Sequence, residues 1–308
     1  MIELRRLHRN FGETRAVQDV TFEVTKGEVF GYIGPNGAGK TTSMRILATL
    51  DLPSYGDAMI DGFSVVNDPD RVRRRLGFMP DSFGTYPNVN CEEYLDFFAR
   101  AYGLVGRTRT RALEHVMAFT DLGGLAEKPI RGLSKGMKQR LCLGRAMIHD
   151  PAVLILDEPA AGLDPRARIE LRQMIRALAD DGKTILVSSH ILTELAEMCD
   201  RVGIIEQGCL LAQGTVEEIQ GERTMRSDVR LRVLGGCARL VEWLTKREDI
   251  VDIKSDGDVV RFSHAFGPDG QAVLLREMVL ADFSIAEFAS HAHSLEDVFM
   301  QVTRGVVQ

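Results

Sequence analysis

Residues Gly34 to Thr42 read GPNGAGKTT, a stretch too rich in glycine and proline to lie inside a helix or strand. Before it stands the β-prone run VFGYI (Val29–Ile33). After it comes TTSMRILATL (Thr41–Leu50), whose Met44, Leu47 and Ala48 fall on one side at helical spacing. A strand feeding a helix through such a turn points to an α/β arrangement. The spacing is G-x-x-x-x-G-K-[ST], from Gly34 through Gly39, Lys40 and Thr41. Glycine lets the backbone turn inward without a Cβ clash. The segment Gly34, Pro35, Asn36, Gly37, Ala38 and Gly39 is thus expected to aim amides at one anion, helped by the positive end of the helix. Lys40 can reach β- and γ-phosphates, the Thr41 hydroxyl can ligate Mg²⁺, and Thr42 can add a phosphate hydrogen bond.

The strand–helix rhythm returns further on. AVLILDE (Ala152–Glu158) is apolar until two carboxylates close it, as suits a buried central strand. Asp157 is placed to hold magnesium through water, and Glu158 to orient or deprotonate an attacking water. KTILVSSH (Lys183–His190) reads as another buried strand ending in polar groups. Parallel strands bring their C-terminal ends to one edge, so Gly34, Asp157 and His190 are expected there together. In LSKGMKQR (Leu133–Arg140), Ser134 is a good helix N-cap and Gly136 permits close approach. Lysines in a first helical turn oppose the helix dipole, which an anion would offset. This segment could serve a phosphate held by a different subunit. No strand reads between Asn90 and Leu125, so a helical subdomain is expected over about 85–150.

In this order the motifs resemble the ATP-binding subunits of ABC transporters, specifically the ABC-2 export class. The resemblance covers about Ile2 to Gln220. Walker A is at Gly34–Thr41, the Q-loop position near Asp81, the signature at Leu133–Gln139, Walker B at Val153–Asp157, the D-loop at Ala161–Asp164 and the switch histidine at His190. The resemblance implies a RecA-like P-loop NTPase core of α/β type, an antiparallel β portion and the helical subdomain. It implies ATP and Mg²⁺ as cofactors, with catalytic roles for Lys40, Glu158 and His190 and metal contacts from Thr41, Asp157 and Asp81. Phe11 sits where an aromatic ring stacks on adenine, and Ser134 and Gly136 where the signature closes over ATP held by a second ATP-binding subunit. The expected activity is ATP hydrolysis in a head-to-tail dimer, driving export through a separate ABC-2 type membrane permease at the cytoplasmic face of the membrane. Three positions depart from the family pattern. The signature reads LSKGM, aspartate replaces the Q-loop glutamine at position 81, and Ala161 replaces the D-loop serine.

Beyond the polar linker GERTMRS (Gly221–Ser227) the order becomes β-α-β-β-α-β, a split βαβ of α+β type. Residues 1–220 are therefore read as the ATP-binding domain, and 228–308 as a ferredoxin-like accessory domain. Its end, HSLEDVF (His293–Phe299), resembles that of an accessory domain found in ABC-2 ATPases. His291 and His293 offer no third ligand for a metal.

Composition limits the alternatives. The 308 residues carry a net charge of −6 and five irregularly spaced cysteines without a CxxC pair, read as reduced thiols. No signal-peptide-like stretch opens the chain, and no run of 18 uncharged apolar residues occurs. No nucleic-acid partner is expected. The basic run RVRRR (Arg71–Arg75) reads as a solvated face beside Asp68 and Asp70. Two other readings stay open: a non-transport ABC ATPase acting on nucleic acid or ribosomes, and a regulatory module that binds ATP without turning it over.

Overall fold

The strands Val29–Ile33, Val153–Leu156 and Thr184–Ser189, the last two within the runs read as buried strands, are buried at every residue. Such strands need cover on both faces, which a parallel sheet between layers provides. The computed structural model describes residues 1–82, 84, 86, 88–221, 227–264, 266–291 and 299. These fall into two units that divide between Val216 and Glu217.

In chain order the first unit contains β1 (Ile2–Phe11), β2 (Thr14–Val24), β3 (Val29–Ile33), α1 (Lys40–Leu47), β4 (Tyr55–Ile60), β5 (Phe63–Ser64), α2 (Pro69–Arg75) and β6 (Leu76–Met79). There follow α3 (Cys91–Ala101), α4 (Gly106–Phe119), α5 (Lys135–Met147), β7 (Val153–Leu156), α6 (Pro165–Asp180), β8 (Thr184–Ser189), α7 (Leu192–Ala196), β9 (Arg201–Glu206) and β10 (Cys209–Thr215). α8 (Val216–Gly221) runs across the division.

The central sheet has the order β10-β9-β3-β8-β7-β6. All neighbours are parallel except β10, which forms an antiparallel hairpin with β9. This is the RecA-like core. Its parallel strands deliver Gly34, Asp81, Asp157 and His190 to one edge, because β3, β7 and β8 end immediately before Gly34, Asp157 and His190, and β6 ends two residues before Asp81.

A second, antiparallel sheet has the order β2-β1-β4-β5. The β1–β2 hairpin was not evident in the sequence. Its register shifts three times, with Arg6 and Asp19 at positive φ, and these irregularities interrupt the alternation of apolar and polar residues that marks a strand. One apolar core joins the two sheets around α1, with Leu4, Phe22, Phe30, Tyr32, Met44 and Leu47 fully or nearly fully buried. Phe22 and Phe30 stack at 4.9 Å across the gap. Helix α1 stops at Leu47, short of the expected Leu50, because Thr49 takes a left-handed conformation at φ 58°.

Helices α3, α4 and α5 form the helical part. Asn90 and Glu93 close a capping box at the start of α3. Gly144 lets α5 press on α4, since a Cβ there would stand 2.8 Å from Val116 Cγ1.

The second unit contains β11 (Ser227–Val233), α9 (Cys237–Thr245), β12 (Ile250–Asp256), β13 (Val259–His264), α10 (Pro268–Leu280) and β14 (Ile285–His291). The sheet order is β12-β13-β11-β14, antiparallel throughout. Its core includes Val229, Leu231, Leu240, Leu244, Phe262 and Met278. The β-α-β-β-α-β order is present. Apart from Phe299, HSLEDVF falls outside the described residues.

Candidate nucleotide site

The turn after β3 is shaped by contacts that exclude side chains. A Cβ on Gly34 would stand 2.4 Å from the Ile205 carbonyl oxygen. One on Gly39, at φ 103°, would stand 2.3 Å from the Ala16 carbonyl oxygen. Gly37 is also left-handed, at φ 82°. The turn encloses a cavity of about 180 Å³ whose wall includes Ala16, Asn36, Thr41, Asp81 and Glu158.

Lys40 is the first residue of α1 and is 5% exposed. Its Nζ donates to the Gly34 carbonyl at 2.6 Å and the Pro35 carbonyl at 3.2 Å, and lies 3.5 Å from Glu158 Oε1. Burial pushes the ammonium below its usual range, while the charges of Glu158 and Asp157 oppose that fall.

Asp157 is buried just past β7, and its N–H donates to the Met79 carbonyl at 2.8 Å. Burial pushes its carboxyl upward. Hydrogen bonds from Ser188 and Thr41 pull the other way, and the charges of Glu158 and Asp81 add to the rise. Ser188 is a residue the sequence reading did not single out. Its Oγ donates to Asp157 Oδ1 at 2.7 Å and accepts from the Glu158 N–H at 2.9 Å. The two serines ending an otherwise apolar β8 were the available signal.

Glu158 takes φ 48°, a left-handed conformation that costs a non-glycine residue of order 1–3 kcal/mol. The conformation turns its carboxylate back between two partners. Oε2 is 2.7 Å from His190 Nδ1, and Oε1 faces Lys40. Oε1 is buried and makes no hydrogen bond within the usual limits among the described residues, consistent with the long 3.5 Å approach to Lys40. Glu158 is thus held between a buried cation and a half-exposed imidazole.

Ser134 and Gly136 belong elsewhere in the unit. They line a cavity of about 200 Å³ where the N-termini of α5 and α6 meet. Ser134 Oγ accepts from the Met137 N–H at 3.2 Å, and Asp164 Oδ1 accepts from the Ala167 N–H at 3.0 Å, so each caps its helix. A Cβ on Gly136 would meet Ala167 Cβ at 3.1 Å. The signature lysine, Lys135, lies over the D-loop, with Nζ 2.3 Å from where a Gly162 Cβ would be. The two cavities share no lining residue. The structure therefore brings residues 34–42, Asp81, Asp157, Glu158 and His190 to one edge, and gathers Ser134, Gly136 and Asp164 in a different place.

Phe11 ends β1 and is 49% exposed. It pairs with Thr14 across the hairpin turn, two residues before Ala16 of the glycine-rich cavity wall.

Mg²⁺ keeps waters and uses one or two carboxylates together with substrate phosphates. Among the described residues no three His, Cys, Asp or Glu side chains could hold a metal by themselves. The buried Asp157 carboxylate, with the Thr41 hydroxyl and Asp81 close enough to act on its charge, fits that partial donor set.

The profile of the family described as ABC transporter matches residues 17–161. The chain is 36% identical over 222 residues to the probable multidrug ABC transporter ATP-binding protein YbhF of Escherichia coli, covering 72% of this chain and 38% of that protein. It therefore spans well under half the length of that relative. It is 34% identical over 302 residues to the Nod factor export ATP-binding protein I of Bradyrhizobium diazoefficiens, covering 98% of this chain and 96% of that one. A solved dimeric bacterial ABC transporter cassette superposes with a TM-score of 0.64 at 27% identity, over 70% of this chain and 98% of the cassette. With a relative matched almost end to end, and the cassette fold built around this glycine-rich cradle, the chain belongs to the ABC transporter family as one of its ATP-binding proteins.

Proposed function

We propose that the chain binds Mg²⁺–ATP on Gly34–Thr42 and hydrolyses it as a head-to-tail pair with a second ATP-binding subunit, in the simplest case another copy of itself. The pair drives export through a separate ABC-2 type permease. The observation that carries this reading is the Glu158 carboxylate, turned by a strained backbone to stand between Lys40 and His190.

The backbone amides of the turn and the N-terminus of α1 cradle the phosphates. Lys40 exchanges the Gly34 and Pro35 carbonyls for β- and γ-phosphate oxygens. When bound, Mg²⁺ neutralises phosphate charge beside Thr41, Asp157 and Asp81. Glu158 orients the attacking water and accepts its proton, and His190 fixes the Glu158 carboxylate from the other side. Lys40 and His190 oppose the charge that develops on the γ-phosphoryl group. Phe11 stacks on the adenine. Ser134 and Gly136 close over the nucleotide of the opposite subunit, which accounts for their distance from this chain's own cradle.

The solved cassette is dimeric, and the names of the relatives speak of multidrug transport and Nod factor export. These support the pairing and the export direction. Among the described residues no helix is long and apolar enough to cross a membrane. In this reading the translocation path belongs to the permease, and the chain sits at the cytoplasmic face through it. Arg71, Arg73 and Arg75 form ion pairs with Asp68, Asp70 and Asp61, which supports a solvated face over a nucleic-acid contact.

ATP hydrolysis by the wild type and by Glu158→Gln tests the reading. A fall on the order of 10²-fold or more is expected for loss of a general base. Equal, negligible rates in both would instead favour a regulatory module that binds ATP without turnover.

A further inference from the structure

The ring of Phe11 is 49% exposed, and the Arg9 guanidinium lies over one of its faces, 4.4 Å from the ring centroid. Arg9 and Phe11 are two apart on β1, and their side chains meet across the register shift between Arg9 and Asn10. Arg9 Nε is buried without a hydrogen-bond partner among the described residues. The cation is therefore placed by the ring beside it and by a carboxylate, Asp51, 3.8 Å from Nη2.

Asp51 lies four residues past the end of α1, the helix that follows the phosphate loop, and is bonded to it. Its Oδ2 accepts from Arg45 Nε at 2.7 Å, and its backbone N–H donates to the Arg45 carbonyl at 3.3 Å. Arg45 lies in the last turn of α1, whose first residue is Lys40. A run of alternating charges, Arg45–Asp51–Arg9, thus links the far end of the phosphate-binding helix to the exposed ring. The same strand is tied down nearby, with the Asn10 N–H donating to Ser54 Oγ at 3.0 Å.

We infer that Arg9 is a positioning residue for the nucleotide base: it covers one face of Phe11, leaves the opposite face for the base, and fixes the ring relative to α1 through Asp51 and Arg45. The inference rests on the proposed stacking of adenine on Phe11. A cation on one face of an aromatic ring and a base on the other form a three-layer stack held by dispersion and by the ring quadrupole. Because the stack acts on the base alone, Arg9 contributes to binding of a nucleotide and not to binding of a bare triphosphate. It also stays outside the chemistry at the γ-phosphate, so its loss raises KM for ATP and leaves kcat unchanged.

The test is titration calorimetry on the full chain with Mg²⁺–ATP and, separately, Mg²⁺–tripolyphosphate. Arg9→Ala is expected to weaken ATP about three- to tenfold and leave tripolyphosphate unchanged. Phe11→Ala is expected to weaken ATP at least as much, and the double variant to match Phe11→Ala alone. Asp51→Asn is expected to give the same pattern with a smaller loss. Unchanged tripolyphosphate binding also shows that each variant keeps its phosphate site. If Arg9→Ala weakens both ligands equally, Arg9 merely supports the fold and the inference is overturned. If Phe11→Ala weakens ATP while Arg9→Ala does not, the inference falls and the stacking of the base stands. If Phe11→Ala leaves ATP binding unchanged, the stacking assignment fails and takes the inference with it.

Discussion

Around Lys40 the polar groups are engaged with neighbours of the same chain. The ammonium lies on two loop carbonyls, Asp157 on Ser188, and Glu158 between Lys40 and His190. Around Ser134 two helix N-termini converge on a cavity where the side chains present do little more than cap their own helices. Of the two signature residues assigned to phosphate, Ser134 is exposed and Gly136 half-buried, whereas Lys40 and Asp157 are buried. One region is a preorganised cradle whose strain and burial are supported from within. The other is, in the proposed reading, a cap for a nucleotide held by a second subunit. On that reading the contrast assigns nucleotide binding to the cradle alone and makes turnover depend on the cap of the second subunit.

Lys40→Met should damage the cradle most. Removing a buried donor aimed at developing charge costs on the order of 10²–10³ in rate, so steady-state ATP hydrolysis should fall by that factor. A variant retaining half its activity would break the contrast, because the cradle would then not need its cation.

The next effect concerns how the cap is anchored. Helix α5 begins at the Ser134 cap, and just past its C-terminal end His149 packs against β6, Nε2 3.1 Å from the Leu76 carbonyl oxygen and its ring stacked on Tyr102 at 3.7 Å. Burial pushes this imidazole down to about 4, against a small upward pull from the Leu76 carbonyl and Asp150 and a further downward push from Lys183. In the unfolded chain His149 takes up its proton near pH 6.5, and in the folded chain only near 4. Between these values the unfolded state binds more protons, so stability falls as pH is lowered. The loss from this one group reaches roughly 2–3 kcal/mol at pH 4.5. Urea denaturation at pH 7 and pH 4.5 should show the loss in the wild type and a smaller one in His149→Gln. An equal loss in both would show that the anchor is not the titrating group.

Ser134→Ala should have the mildest effect of the three and separates the two regions most cleanly. ATP affinity of the single chain should stay within about twofold, because Ser134 does not touch its own cradle. Hydrolysis should fall roughly tenfold or more, the worth of a hydrogen bond to a charged group. A matching loss of affinity would mean that the cap acts on the nucleotide of its own chain.

Much of the cradle was legible because its motif is local. The spacing of Gly34, Gly39, Lys40 and Thr41 fits within nine residues, although the carbonyls that leave no room for a Cβ at 34 and 39 belong to the distant Ile205 and Ala16, and the apolar runs before Asp157 and His190 announce buried parallel strands. What escaped the sequence depends on distant contacts. Ser188 joins Asp157 to Glu158 only after β7 and β8 pair, and nothing in SSH says which serine faces the carboxylates. The left-handed turn of Glu158 has no glycine to mark it. The β1–β2 hairpin stayed hidden because its bulges break the alternation a strand shows. Arg9 carries no mark of its own in RRLHRNF, and only the fold sets it on Phe11.

The central claim is that a nucleotide in one chain's cradle is closed over by the Ser134 cap of another. The most direct measurement is the solution mass of the full-length Glu158→Gln chain by light scattering, with and without Mg²⁺–ATP, beside Glu158→Gln/Ser134→Arg. The account predicts that the first doubles in mass on adding Mg²⁺–ATP. The second should still bind one ATP per chain and stay a monomer, because the arginine fills the cap. Dimerisation of both variants, or of neither, would contradict it.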